Sequence, residues 1–162
     1  MKHLTPIYDI ANQFAQYTQT SIFITGNAGT GKTTFLRKLR STTQKQIAVV
    51  APTGVAAINA GGVTIHSFFQ LPFTPFVPTI EGEHNLMSKI KMTSMRRKVI
   101  QELELLVIDE ISMVRADLLD EIDTVLRHIR YRKNLPFGGV QVIFIGDLYQ
   151  LPPVVTPDVQ ET

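Results

Sequence analysis

Residues 21–33 read SIFITGNAGTGKT, a short apolar run followed by a glycine-rich loop that ends in lysine and threonine. The loop GNAGTGKT, Gly26 to Thr33, fits the pattern G-x-x-x-x-G-K-[ST], with a predicted strand before it and a helix-compatible stretch after it. Glycines let consecutive backbone N–H groups turn inward around an anion, and the next helix adds partial positive charge at its N-terminus. The stretch therefore predicts a phosphate-binding loop that joins a strand to a helix.

The residue types of this loop suit the phosphates of ATP and a Mg²⁺ ion. We expect the Lys32 ammonium to reach the β- and γ-phosphates and the Thr33 hydroxyl to bind Mg²⁺. The predicted nucleotide-binding residues are Gly26, Asn27, Ala28, Gly29, Thr30, Gly31, Lys32, Thr33 and Thr34. The alternative is a glycine-rich turn with an incidental lysine, and the flanking strand disfavours it.

Three more apolar runs predict further strands: QIAVVAPT at 46–53, LELLVID at 103–109 and VQVIFIGD at 140–147. They are rich in Ile, Val and Phe and lack strict alternation, which is typical of strands buried on both faces. Helices are predicted over residues 6–16, 32–40, 55–60, 95–102 and 115–130. In the first of these, Ile7, Ile10, Ala11 and Phe14 recur at helical spacing. Strands that alternate with helices predict an α/β fold with a mainly parallel sheet.

The segment 70–94 interrupts this alternation. Pro72, Pro75 and Pro78 exclude an interior helix or a central strand, so we predict an ordered surface loop over residues 70–78. Residues 79–94 are polar and irregular in pattern. We therefore predict a single domain over residues 1–162, with 70–94 as a candidate small insertion.

Composition excludes several classes of protein. The chain has 162 residues, 44% of them hydrophobic, which suffices for the core of one domain. It has no cysteine, which excludes disulfides and thiolate metal sites, and no apolar run long enough to span a bilayer. The formal charge of +2 requires any contact with nucleic acid to come from a local groove. The N-terminus lacks the layout of a secretion signal, so we expect a cytoplasmic, nucleoid-associated location and no membrane partner.

Two adjacent carboxylates follow the predicted strand LELLVID. A parallel sheet presents its ligand-binding edge where its strands end, and Asp109 and Glu110 stand there. We expect Asp109 to hold Mg²⁺, through a water, and Glu110 to orient and deprotonate the attacking water. The alternative is a pair that merely ends a strand, and the upstream phosphate-binding loop argues against it.

A glutamine follows the last predicted strand, in GDLYQLPPV at residues 146–154. The carboxamide of Gln150 can hydrogen-bond to the γ-phosphate or to the lytic water and loses that partner on hydrolysis. Gln150 is therefore predicted to act as a sensor in catalysis, beside Lys32 and Glu110. On its own this signal is weak, because glutamine is common in surface loops.

The motifs GNAGTGKT, APTGVAAINAGGVTIHSFF, LLVIDEISM and GDLYQLPPV, in this order, closely resemble those of the Pif-type helicases of superfamily 1B. The resemblance implies a RecA-like P-loop NTPase, a three-layer sandwich in which the sheet order is SIFITG, VQVIFIGD, LELLVID, QIAVVAPT. It also implies ATP-driven 5′-to-3′ translocation on single-stranded DNA, with unwinding of duplex or G-rich structured DNA.

The second motif supplies the candidate DNA contacts. Small polar groups and exposed amides suit phosphates, and an aromatic ring can stack on any base. The candidates are Thr53, Gly54, Thr64, His66, Ser67 and Phe68. Phe68 has a core role as its alternative, and His66 a structural or solvated one.

Two departures from the family pattern limit what the resemblance implies. In the family an upstream glutamine reads the adenine, and Gln13 and Gln16 match its surroundings only loosely. The family's second RecA-like domain, a partner of the first and the source of its arginine fingers, has no counterpart in these residues. We therefore expect this stretch to bind nucleotide, to hydrolyse it poorly and not to unwind DNA by itself.

Two other functions fit a phosphate-binding loop. The first is a kinase acting on a small molecule or nucleotide, but nothing after Asp109 resembles the arginine-bearing lid of such enzymes. The second is a regulatory module that holds nucleotide without turnover, against which Glu110 argues. Binding to single-stranded DNA separates a kinase from a motor.

Overall fold

Five parallel strands form one sheet in the computed structural model of the protein, which describes residues 6–27, 29 and 31–149. The strands are β1 (Ile22–Thr25), β2 (Ile47–Ala51), β3 (Val63–Thr64), β4 (Leu105–Ile108) and β5 (Gln141–Gly146). Their order across the sheet is β1-β5-β4-β2-β3. The α/β class and the order of the four predicted strands are thus confirmed. β3 was not predicted, because two residues are too few to show a pattern.

Helices connect the strands. Within the described residues they are α1 (Pro6–Tyr17), α2 (Lys32–Thr42), α3 (Gly54–Ala60), α4 (Ile65–Phe69), α5 (Ile80–Lys89), α6 (Ser94–Glu102) and α7 (Ala116–Ile129). The five predicted helices are all present, with ends that differ by at most two residues. None of these helices is both long and apolar enough to cross a membrane.

The prediction that residues 79–94 are irregular is wrong over α5. The Thr79 side chain accepts a hydrogen bond from the Gly82 N–H and so caps the first turn of this helix. Leu86 is its one buried residue. A helix that buries a single side chain has no apolar stripe in its sequence, which is why periodicity missed it.

The helices cover both faces of the sheet, and each interface has its own core. On one face, α1 and α2 pack against strand residues such as Val107 and Ile143. On the other face, α4, α5, α6 and α7 pack against residues such as Leu106 and Val142. Every residue of β4 is buried, as expected for a strand covered on both sides. This is the three-layer arrangement that the resemblance implied.

The loop over residues 70–78 is free of helix and strand, as predicted, and two buried side chains anchor it. Leu71 and Phe76 are only 5% and 7% exposed. Both belong to the same core as Leu86 and Ile90 from the second half of the segment. The segment 70–94 therefore shares the main core of the domain.

The first helix buries a different face from the one its sequence suggests. Its buried side chains are Tyr8, Ala11 and Ala15. Ile7, Ile10 and Phe14 are exposed and line an open apolar groove against β1. β1 is the edge strand of the described sheet, and no further strand lies beside it to cover the apolar side chains of α1.

Arg130 holds the end of α6 against α7. Its Nη1 donates to the carbonyls of Ile100, Gln101 and Leu103, and its Nε donates to the carbonyl of Gly138. The last carbonyls of a helix have no partner within it, so this guanidinium satisfies groups at the C-terminus of α6.

We predict that Arg130→Ala lowers the free energy of unfolding by about 3 kcal/mol, because it removes several charge-assisted hydrogen bonds to carbonyls at the end of α6 and to Gly138. Urea unfolding followed by circular dichroism measures the change. The matched control is Arg37→Ala, an exposed arginine on α2, which should shift the value by less than about 0.5 kcal/mol. Equal effects of the two substitutions would contradict the capping role.

Candidate functional site

The phosphate-binding loop and the acidic pair follow strands that end at the same edge of the sheet. The phosphate-binding loop follows β1, Asp109 and Glu110 follow β4, and Asp147 follows β5, which lies between them. Neighbouring strands are about 4.8 Å apart, so the three groups begin within roughly 10 Å of one another. The fold therefore brings the loop and the acidic pair together, as the sequence predicted.

The loop has the backbone conformation that an anion site requires. Gly29 and Gly31 have φ values of 83° and 94°, in the left-handed region that favours glycine. Gly31 is the N-cap of α2 and has no side chain to satisfy the first turn, so that turn keeps N–H groups for a ligand. Ala28 and Thr30 lie outside the described residues.

The Lys32 ammonium lies within the loop itself. It donates hydrogen bonds to the carbonyls of Gly26 and Asn27, the latter at 3.0 Å. The next two residues, Thr33 and Thr34, are exposed in the first turn of α2. A positive charge and a helix N-terminus thus face the same space, which suits phosphate.

The acidic pair is coupled to this lysine. Burial raises the pKa of Asp109, while a hydrogen bond from the Glu110 N–H to its Oδ1 and the charge of Lys32 act in the opposite direction. Burial also raises the pKa of Glu110; Asp109 and Asp147 add to the rise and Lys32 opposes it. Three carboxyl groups and one ammonium therefore interact at this edge.

Glu110 has a strained backbone. Its φ of 53° and ψ of 45° are left-handed, a conformation that costs a residue with a side chain of order 1 to 3 kcal/mol. It begins a short 3-10 turn, Ile111–Met113. Such strain persists where the surrounding structure enforces it, and it concentrates at functional sites.

The end of β5 packs closely on this turn. A Cβ at Gly146 would lie 2.8 Å from the Ile111 Cγ2 and 3.1 Å from its backbone N, so only glycine fits. The buried Asp147 carboxylate then accepts a hydrogen bond from the Tyr149 N–H at 2.9 Å. The predicted sensor Gln150 is the next residue and lies outside the described part of the chain.

The donor set fits Mg²⁺ in chemical type. Thr33 offers a hydroxyl oxygen at the start of α2, and Asp109 offers a carboxylate at the end of β4. Mg²⁺ prefers oxygen ligands and is commonly held by one or two carboxylates together with the phosphates of a substrate. The half-buried carboxylate of Asp109, whose pKa is raised by partial burial, is the kind of group that a cation stabilises.

The candidate DNA contacts lie further along the same edge, after β2 and β3. Thr53 and Thr64 are the N-caps of α3 and α4, and their hydroxyls accept from the Ala56 and Ser67 N–H groups, each at 3.2 Å. Ala51 pairs with Thr64, so the two caps lie at the ends of neighbouring strands. At about 4.8 Å per strand, they lie roughly 14 to 19 Å from the phosphate-binding loop.

The other four candidates differ in exposure. Gly54 and Ser67 are exposed, and His66 is half-buried, with its pKa lowered by desolvation. Phe68 is only 5% exposed and packs edge-on against Phe69. The structure thus assigns Phe68 the core role that was its alternative.

Two contributors to the site region, and one buried carboxyl beside the loop over residues 70–78, were not identified from the sequence. Tyr8 stacks on Phe35, and its ring lies 3.3 Å from where a Cβ on Gly31 would be, so it packs behind the loop. Asp147 was quoted within a motif but given no role. Gln16 is bonded to Thr42 at the far end of α2, so the residue of α1 beside the loop is Tyr8.

The third is Glu121, a buried carboxyl on α7. It is 3% exposed, and its Oε1 has no hydrogen-bond partner among the described residues. It lies at a small cavity lined by residues 72, 74–77 of the loop and by α5. Burial, and then the charge of Asp117, raise the pKa of Glu121 to about 7. No sequence motif predicts such a group, because its burial results from the packing of segments that are distant in the sequence.

Comparison with known families and relatives gives consistent matches. The model of the PIF1-like helicase family matches residues 4–162. The ATP-dependent DNA helicase PIF1 of Candida albicans is 44% identical over 140 residues, which are 83% of this chain and 15% of that protein. The chain therefore spans less than one fifth of the length of this relative.

Solved structures agree. Pif1 helicase from Bacteroides in complex with ADP-AlF3 and ssDNA superposes with a TM-score of 0.89 at 46% identity, covering 99% of this chain and 36% of that one. A structure concerning DNA unwinding at forked dsDNA by two coordinating Pif1 helicases gives a TM-score of 0.87 at 46% identity, covering 98% and 37%. The fold is that of a RecA-like helicase domain.

Glu121 generates a prediction about pH. Its folded-state pKa of about 7 lies above the ordinary value of 4.5, so the folded chain holds the proton more tightly than the unfolded chain. The stability that this group contributes is present at low pH and is lost as pH rises through 7. At pH 8, we expect the free energy of unfolding of Glu121→Gln to exceed that of the unsubstituted protein by on the order of 2 kcal/mol. At pH 5, we expect the two free energies to be nearly equal.

Urea unfolding of both proteins from pH 5 to pH 8 tests this. Glu102→Gln, at a glutamate whose side chain is 62% exposed on α6, is the control and should give a difference that is small at every pH. A Glu121→Gln difference that does not change with pH would refute the assignment.

Proposed function

The chain belongs to the PIF1-like helicase family, and from this premise we propose that it is the ATP-binding motor domain of an ATP-dependent DNA helicase. The proposed activity is 5′-to-3′ translocation on single-stranded DNA with unwinding of duplex or G-rich structured DNA. Relatives named ATP-dependent DNA helicase support the activity, and the Bacteroides complex with ADP-AlF3 and ssDNA supports both ligands.

One observation carries the proposal. Lys32, Asp109, Glu110 and Asp147 come from three separate parts of the sequence and interact at one edge of the sheet. This edge also holds a glycine loop and a helix N-terminus. A core or solvated role would not require a strained glutamate beside a lysine that is hydrogen-bonded to loop carbonyls.

Each residue has a proposed role in hydrolysis. Lys32 exchanges its loop carbonyls for the β- and γ-phosphates, and Thr33 and Asp109 hold Mg²⁺, which would neutralise phosphate charge. Glu110 orients the attacking water and accepts its proton. Its raised pKa makes it a stronger base than an ordinary glutamate. Gln150 is proposed to sense the γ-phosphate.

The DNA contacts are proposed for the neighbouring part of the edge. Thr53, Gly54, Thr64, His66 and Ser67 follow β2 and β3, next to the strand that carries the acidic pair. The Asp109 N–H donates to the Val50 carbonyl at 2.9 Å, and Val50 lies three residues before Thr53. This hydrogen bond joins Asp109 to β2, the strand that leads to Thr53.

We further propose that these 162 residues alone bind nucleotide but hydrolyse it slowly and do not unwind DNA. Among the described residues, Lys32 is the one cation that acts on Glu110. Phosphoryl transfer gains greatly from an additional arginine, which a second RecA-like domain would supply. The proposed location is the cytoplasm, at the nucleoid, where a DNA motor meets its substrate.

The first test is nucleotide binding. We expect Lys32→Ala to weaken binding of a fluorescent ATP analogue at least about 10-fold, with and without Mg²⁺, because each charge-assisted hydrogen bond contributes roughly 1.5 to 3 kcal/mol. Lys38→Ala, an exposed lysine on α2, should bind normally. Normal binding by Lys32→Ala would exclude the phosphate-binding role.

The second test is hydrolysis in a chain extended by a second RecA-like domain. Glu110→Gln should lower DNA-stimulated hydrolysis at least about 100-fold, because it removes a general base, while nucleotide binding remains. In the unsubstituted protein, the raised pKa of Glu110 should place the acidic limb of the pH profile above that of an ordinary glutamate. A rate of hydrolysis that single-stranded DNA does not change would exclude a motor and favour another NTPase.

A further inference from the structure

An exposed aromatic ring stands beside the proposed DNA contacts. Phe73 is 87% exposed, the most of the nine phenylalanines in the chain. Its ring lies parallel to the imidazole of His66, with centroids 4.4 Å apart and planes 9° from parallel. Because this high exposure persists with one face against His66, the other face of the ring is open to water.

The backbone around Phe73 fixes the ring in this position. Leu71 and Phe76 are buried in the core, so residues 71–76 form an arch that is held at both ends, with Phe73 near its crest. The Leu71 N–H donates to the His66 carbonyl at 3.1 Å, which turns the chain back over α4. Pro72 and Pro75 restrict the backbone of the arch. The ring is therefore held in one orientation before any ligand arrives.

The ring does not complete the core. Phe73 lies between the buried Leu71 and Phe76 and remains in water. Burial of such a large apolar side chain would stabilise the fold. The arch instead directs its apolar anchors inward at positions 71 and 76 and leaves Phe73 outside. An open, oriented aromatic face is what stacking on an unpaired nucleobase requires, and such stacking is independent of base identity.

We propose that Phe73 is a stacking platform for one unpaired base of single-stranded DNA and that His66 is the positioning residue that supports its inner face. This inference rests on the proposed function, since it requires single-stranded DNA on this edge of the sheet. It changes the role of His66 from a direct contact to the support of a contact. Phe73 supplies the aromatic ring that Phe68, buried in the core, does not offer.

The test compares two fluorescein-labelled probes by anisotropy at low salt: an oligothymidylate, and an oligonucleotide of equal length whose sugars carry no bases. The unsubstituted 162-residue chain should bind the oligothymidylate more tightly. Phe73→Ala should weaken binding to it about 10-fold and leave binding to the abasic probe unchanged, because only the stacked base is lost. Phe73→Trp should bind the oligothymidylate at least as tightly as the unsubstituted chain.

Two further variants test whether His66 supports the ring of Phe73. His66→Ala should lose several-fold in affinity for the oligothymidylate alone, and His66→Phe should recover it by restoring a neutral ring behind Phe73. The control is Tyr17→Ala, which removes an aromatic ring that is 81% exposed at the end of α1, away from this edge, and it should bind both probes normally.

The outcomes separate this inference from the proposed function. If the unsubstituted chain bound neither probe, the DNA-binding part of the proposed function would fail and the stacking role with it. If it bound both probes and Phe73→Ala either bound them normally or lost affinity equally for the two, the stacking role alone would be refuted. Failure of His66→Phe to recover affinity would refute the support by His66.

Discussion

The insertion of β5 between β1 and β4 is the constraint on which the candidate site depends. β5 pairs in parallel with both strands, with Thr25 opposite Gly146 and Ile108 opposite Phe144. A shift of one residue in either register would turn every side chain of a strand to the other face, so buried faces fix the level at which each loop leaves the sheet. The Val142 N–H donates to the Ser21 hydroxyl across 121 residues of sequence. The site is therefore a non-local product of the fold, because its residues come from segments that are far apart in the sequence.

The same sheet connects the nucleotide side with the proposed DNA side. Asp109 is hydrogen-bonded to the carbonyl of Val50, and Gly146 packs against Ile111 without room for a side chain. Close-packed contacts of this kind transmit a displacement instead of absorbing it. The arrival or loss of a γ-phosphate near Glu110 would therefore act on a turn that contacts β5 and follows β4, the strand paired with β2. Under the proposed function, this geometry would couple hydrolysis to the part of the sheet edge where the DNA contacts are proposed.

Sequence patterns predicted those elements whose residue types and spacing are set by local structure or by ligand chemistry. Apolar runs revealed β1, β2, β4 and β5, and the loop and acidic pair were evident because phosphate chemistry constrains residue type and spacing together. Features set by tertiary contacts were not evident. Examples are α5, with one buried residue, and the buried face of α1, where Ala11 and Ala15 pack and larger residues do not. The left-handed Glu110 and the buried Glu121 belong to the same group, because each reflects an environment that distant segments create.

The arch over residues 71–76 is anchored at both ends, but the packing beneath it is incomplete. Its anchors are apolar, but the cavity beneath it contains Glu121, whose buried Oε1 lacks a partner among the described residues. A buried carboxyl without a full set of hydrogen bonds stabilises its surroundings less than an apolar side chain of similar volume would. The orientation of Phe73 therefore depends on Leu71 and Phe76, whose burial in the core keeps the ring against His66.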